Sequence, residues 1–126
     1  MSGRNQATYF VTGAAGFIGS NVSRILLEQG HRVFGIDNLN DAYDVRLKRW
    51  RLKQLLVQEG FYFESVDILD GSALDQLLGS VRPVAIINLA ARAGVRQSVQ
   101  DPWIYIETNV TGTLNLLDLC IKHGIK

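Results

Sequence analysis

Three glycines at one spacing, and an aspartate beyond them, are the residues of this sequence best suited to hold a phosphorylated ligand. In Thr12-Gly13-Ala14-Ala15-Gly16-Phe17-Ile18-Gly19 the glycines recur at every third position. They follow an apolar run, 8–12, and lead into a segment where Ile18, Val22, Ile25 and Leu26 are spaced as one face of a helix. The expectation is a strand, a tight turn and a helix N-terminus. The first turn of a helix has backbone N–H groups without intrahelical acceptors and carries the positive end of the helix dipole, so it attracts a phosphate. Gly13 can take the backbone angles of the turn, Gly16 puts no side chain in the ligand's way, and Gly19 lets the helix lie against the strand. A second apolar run, 32–36, ends in Asp37, placed to accept hydrogen bonds from a ribose 2′-hydroxyl. Together these features predict a dinucleotide site. Taken singly, each also suits an ordinary turn or a surface aspartate.

The 126 residues, 47% apolar and 9% aromatic, make one domain, 1–126, able to bury roughly two-thirds of its unfolded surface. With 13 basic and 12 acidic residues the chain lacks the basic footprint of a nucleic-acid binder. A single cysteine, Cys120, rules out an internal disulfide and suits a small core residue in a reducing compartment. The first strand begins close to Met1, leaving no room for a signal peptide, and no apolar run approaches the roughly 18 residues that span a bilayer. The expectation is a cytoplasmic protein with neither a membrane nor a nucleic-acid partner. His31, His123 and Cys120 have no suitably spaced partners, so no metal site is expected and both histidines are assigned to the surface.

These residues need a scaffold, and strand and helix patterns alternate through four rounds. Gly30 should stop the first helix. A second helix is expected over 44–59, with Leu47, Leu52, Leu55 and Leu56 on its apolar side. Its basic residues Arg46, Lys48, Arg49, Arg51 and Lys53 are read as a solvated face. A third strand, 61–66, ends at Asp67-Ile68, which could meet an adenine, or Asp67 could serve a turn or helix cap. Ser72 is the expected N-cap of a short helix over 72–78. Strand 84–87 is apolar on both faces, and so is expected to be the most buried strand of a parallel sheet. Small residues at Ala90 and Ala91 leave room for a ligand after it. A last helix starts at Asp101-Pro102, with Ile106, Val110, Leu114, Leu117 and Ile121 as its core stripe.

Several of these stretches are similar to the N-terminal part of the extended short-chain dehydrogenase/reductase superfamily, in particular its nucleotide-sugar epimerases and dehydratases. The glycine stretch 12–19 resembles the superfamily's cofactor motif. Asp37-Asn38-Leu39-Asn40-Asp41, Tyr43-Asp44 and Leu47-Lys48 resemble the UDP-glucuronate 4-epimerase branch. Ala90-Ala91, Ala93-Gly94-Val95-Arg96, Ser98, Pro102, Asn109 and Gly112-Thr113 point the same way. The resemblance implies an α/β, Rossmann-type, doubly wound parallel sheet of about four strands in the order 3-2-1-4. It implies NAD held at the pyrophosphate by Gly13, Ala15, Gly16, Phe17, Ile18 and Gly19, and at the ribose by Asp37 and Asn38. Asp67 and Ile68 would flank adenine, Leu89, Ala90 and Ala91 would line the middle of the cofactor, and Asn109 would lie beneath it. Arg96 would sit near a sugar nucleotide, or be an ordinary loop cation. A carboxylate at 37 repels a 2′-phosphate and so favours NAD over NADP.

Members of the superfamily's epimerase branch oxidise C4 of the sugar by hydride transfer to NAD and re-reduce it on the other face. Their base is a tyrosine with a lysine four residues on. Here the residues four beyond Tyr9, Tyr43, Tyr62 and Tyr105 are Gly13, Leu47, Val66 and Asn109. No catalytic residue is therefore assigned, and the isolated chain is expected to be inactive, with the substrate part elsewhere. The other readings are a sugar-nucleotide dehydratase or reductase fragment, and a non-catalytic dinucleotide sensor. The strand order leaves 84–87 at an open edge, through which the chain is expected to self-associate, as a homodimer, or to aggregate.

Overall fold

The computed structural model describes residues 6–39, 45–90 and 101–126. The elements in chain order are β1 (Thr8–Thr12), α1 (Phe17–Glu28), β2 (Arg32–Asp37), α2 (Val45–Leu56), β3 (Phe61–Ser65), α3 (Gly71–Val81), β4 (Ala85–Asn88), α4 (Pro102–Ile106) and α5 (Gly112–His123). A π-helical turn, Glu107–Thr111, joins the last two. All strands run parallel in the order β3-β2-β1-β4, the Rossmann-type order implied by the resemblance.

Parallel neighbours need crossover helices, and these cover both faces of the sheet. Side chains alternate along each strand, so β1 feeds two cores. Val11 packs with Val33, Leu52, Leu55 and Phe61, while Phe10 packs with Ile36, Leu74, Leu78 and Leu116. Phe10 also stacks on Phe34, ring centroids 5.8 Å apart.

Gly30 ends α1 as expected. It takes a positive φ, its N–H donates to Leu27 O, and His31 N–H donates to Leu26 O, which satisfies two carbonyls of the last turn. The inner face of α1 differs from the spacing-based one. Gly19 and Ser23 are its buried residues, whereas Ile18 and Ile25 face outward. Leu26 packs against the core as expected, while next to the glycine turn the helix comes so close that only small residues fit beneath it.

Four further expectations are corrected. Asp70, not Ser72, caps α3: its Oδ1 accepts from Ala73 N–H at 3.2 Å, and Ser72 lies within the first turn. Leu47 and Leu56 of α2 are exposed, and the buried face runs through Lys48, Leu52 and Leu55. Strand 84–87 is not the most buried. β4 forms the edge of the sheet, with Ala85, Ile86 and Ile87 half-buried and Asn88 exposed, and Ile86 N–H donates to Lys126 O at 2.6 Å. The stripe Ile106, Val110, Leu114, Leu117 and Ile121 is exposed, while Gly112 and Leu116 face inward. Helical spacing identifies an apolar face without saying which face meets the sheet. Here Gly112 decides, because a Cβ at that position would overlap the Ile68 side chain. Among the described residues no helix is long and apolar enough to cross a membrane.

Candidate functional site

A cleft of about 320 Å³ opens at the carboxyl ends of the strands, where open parallel sheets bind their ligands. The glycine turn contributes Gly13, Gly16, Phe17, Ile18 and Gly19, and the end of β2 contributes Ile36, Asp37 and Asn38. Asp67 and Ile68 follow β3, Leu89 and Ala90 follow β4, and Lys48 and Thr108 complete the wall.

Close backbone packing builds the floor. Gly13 has φ +69°, and a Cβ there would stand 2.7 Å from Leu89 O and 2.9 Å from Ala90 N. Gly16 N–H donates to Gly13 O at 3.0 Å, closing the turn. A Cβ on Gly19 would overlap the Gly13 carbonyl oxygen, so this glycine sets the distance from helix to turn. Gly16 caps α1 without a side-chain hydrogen bond, and no acidic residue stands in the first turn. That helix end, with Phe17 and Ile18 exposed, is open to an anion.

Asp37 is buried at the end of β2, its side chain 4% exposed. Its Oδ2 accepts from Ala15 N–H at 3.1 Å, and its Oδ1 accepts from Leu39 N–H at 2.7 Å and from Lys48 Nζ at 3.2 Å. A buried carboxylate is costly unless it is paired and hydrogen-bonded, and this one is both. The bond to Leu39 closes a local turn that holds Leu39 at φ +55°. Ala15 therefore acts on Asp37 from behind and does not line the cleft. Lys48 corrects the reading of the α2 cations as a solvated face: its side chain is 7% exposed and reaches into the site. Arg51 likewise turns inward to donate to Ala15 O at 3.4 Å.

Asp67 serves the turn left open for it and also lines the cleft. Its Oδ1 accepts from Leu69 N–H at 2.9 Å in a turn, and its Oδ2 accepts from Asn38 Nδ2 at 3.2 Å at the cleft wall.

Residues 10–126 match the sequence model of the GDP-mannose 4,6-dehydratase family. The chain belongs to that family. It is 52% identical over 118 residues to UDP-glucuronate 4-epimerase of Thermodesulfobacterium geofontis, covering 94% of this chain and 36% of that protein. It is 44% identical to UDP-glucuronate 4-epimerase 2 of Arabidopsis thaliana, covering 93% of this chain and 27% of the relative. Among solved structures, UDP-glucuronic acid 4-epimerase from Bacillus cereus, in complex with UDP-glucuronic acid and NAD, superimposes with a TM-score of 0.81 at 36% identity. That match covers 90% of this chain and 36% of the other. UDP-glucose 4-epimerase from Thermotoga maritima, with UDP-glucose, gives 0.80 at 34% identity, covering 94% and 35%. The chain thus spans about a third of the length of these relatives.

In this member of the GDP-mannose 4,6-dehydratase family, most of the residues singled out in the sequence converge on one cleft. Asn109 does not line it. The adjacent Thr108 does, and the Asn109 carbonyl instead accepts from Thr113 Oγ1 at 2.9 Å. Ala91 and Arg96 lie outside the described residues. Sequence reasoning missed Lys48, Thr108 and Thr12. The signal for Lys48 was its place four and seven residues before the buried Leu52 and Leu55. His123, assigned to the surface, is half-buried and meets Asp75 Oδ1 of α3 at 2.7 Å.

Proposed function

We propose that this chain is the NAD-binding part of a nucleotide-sugar 4-epimerase of the UDP-glucuronate branch. The observation that carries the reading is the pairing, in one cleft, of an uncapped helix end behind a glycine turn with a buried carboxylate at the end of the neighbouring strand. The first suits a pyrophosphate and the second a ribose diol. The Bacillus cereus relative was solved in complex with NAD, which supports the assignment.

The chemistry that NAD supplies when bound is reversible hydride exchange with C4 of the sugar, inverting that carbon when the hydride returns on the other face. The chain's own residues bind and orient. The α1 amides offer hydrogen bonds to phosphate oxygens, and Asp37 and Asn38 offer partners for the ribose hydroxyls. Leu89 and Ala90 give the middle of the cofactor a wall without bulky side chains. None of the four tyrosines has a lysine four residues later, so these 126 residues supply no proton-transferring pair.

Calorimetric titration with NAD tests the reading. One NAD bound per chain is the expected result, with a raised melting temperature and no conversion of UDP-glucuronate by the 126 residues alone. Absence of both heat and thermal shift overturns it.

A further inference from the structure

We propose that Arg51 is a positioning residue for the phosphate-binding turn: it fixes the Ala15–Gly16 peptide and so aims the first amides of α1 into the cleft. The inference rests on the cleft being an NAD site and gives a role in it to a side chain that lines the neighbouring groove between α1 and α2.

The turn is weakly restrained at Gly16. This residue is extended, with φ −73° and ψ 169°, and caps α1 without a side-chain hydrogen bond. A glycine leaves space for a phosphate, but its backbone is free to sample many conformations, and a ligand that must order it binds less tightly. The restraint has to come from another element.

Arg51 supplies it from α2. Its guanidinium donates to the Ala15 carbonyl at 3.4 Å and lies over the Phe17 ring, 5.8 Å from the centroid. These two contacts fall on the residues either side of Gly16. The Ala15 carbonyl and the Gly16 N–H belong to one planar peptide unit, and that N–H donates to Gly13 O at 3.0 Å. The unit is therefore held at both ends. Ala15 is held a second time through its own N–H, which donates to Asp37 Oδ2 at 3.1 Å. An arginine suits this place because its planar, permanently charged fork donates to a carbonyl and stacks on an aromatic face with one group.

The amides that follow Gly16 are those of the first helical turn, which have no intrahelical acceptor and are the ones offered to a pyrophosphate. Loss of Arg51 is therefore felt at the phosphates first. The ribose end is better protected, because Asp37 keeps its bonds from Leu39 N–H and Lys48 Nζ.

Calorimetric binding of NAD, ADP and adenosine to the wild type, Arg51→Met and Arg51→Lys, at low and high salt, tests the proposal. Arg51→Met should bind NAD and ADP about fivefold or more weaker than the wild type does at both salt concentrations, and adenosine no more than about twofold weaker. Arg51→Lys keeps a donor for the Ala15 carbonyl and should fall between the two. Undiminished NAD and ADP binding in Arg51→Met overturns the proposal. An equal loss for adenosine also overturns it, by making Arg51 a general support of the fold, and so does a loss that vanishes at high salt, by making it a distant charge. A lysine variant no better than the methionine one removes the carbonyl contact from the account and overturns it likewise. A wild type that takes up no NAD overturns the reading of the site itself, and this inference with it. Should Arg51→Met not melt cooperatively, Arg51→Gln carries the same comparison.

Discussion

The Thr12 hydroxyl at the end of β1 lies 2.5 Å from Asn88 Oδ1 at the end of β4. It donates there and accepts from Leu89 N–H at 2.9 Å and Ala90 N–H at 3.0 Å, which uses the full hydrogen-bonding capacity of a hydroxyl. Asn88 Nδ2 donates onward to Thr113 Oγ1 at 3.3 Å, and Thr113 donates to the Asn109 carbonyl. One chain of hydrogen bonds thus ties the glycine strand to the wall after β4 and to the π-helical turn that carries Thr108.

Replacing Thr12 by valine keeps the shape and removes the hub. Leu89 and Ala90 lose their side-chain acceptor in a part-buried place, and Asn88 loses its donor. The expected loss is about 2 kcal/mol of stability, read from urea unfolding, together with weaker NAD binding as Leu89 and Ala90 move. Thr12→Ser should recover most of both. A valine variant with wild-type stability and affinity, or a serine variant that recovers neither, would contradict the role of the hydroxyl.

Gly19→Ala is expected to be severe. The added methyl meets the Gly13 carbonyl, which is backbone and cannot rotate away, so α1 must shift from the turn. We expect about 3 kcal/mol of destabilisation and at least a tenfold weaker hold on NAD, because the helix end and the turn would no longer converge. A variant with wild-type melting and affinity would contradict the close approach.

The parts of this molecule legible in the sequence were those where one residue type has one use. Glycines at 13, 16 and 19 between strand and helix have few alternative meanings, and a carboxylate ending the next strand narrows them further. Sheet order followed from the resemblance. What escaped were choices made by packing. The apolar stripe from Ile106 to Ile121 was plain in the spacing, yet its orientation was set by Gly112 against Ile68. Lys48 looked solvated among neighbouring cations, because the partner that draws it inside lies eleven residues earlier on another element. Thr12 is an ordinary strand residue in the sequence, and its three hydrogen bonds reach residues far along the chain.

Ser23 offers a stabilising substitution. Its hydroxyl is fully buried on the inner face of α1 and has no hydrogen-bond partner among the described residues. Serine also favours a helix interior less than alanine does. Ser23→Ala removes an unsatisfied polar atom and improves helix propensity, so it should raise stability by about 1 kcal/mol. Chemical denaturation checks the sign, and a loss would mean that the hydroxyl finds a partner in solution.

Asp75 ties α3 to α5 and makes that contact sensitive to acid. It accepts from Lys122 Nζ at 2.7 Å and meets His123 Nε2 at 2.7 Å. The Lys122 hydrogen bond first, and the His123 hydrogen bond second, hold its carboxyl below the ordinary aspartate value of 3.8. A carboxyl with a lower pKa folded than unfolded contributes stability that is complete above the unfolded value and lost as pH falls through the folded one. Unfolding free energies of the wild type and Asp75→Asn, measured from about pH 5 downward, should therefore differ most at the upper end and converge as the solution is acidified below the ordinary aspartate value. Curves that stay parallel throughout would show that the charge on Asp75 contributes nothing to holding the two helices together.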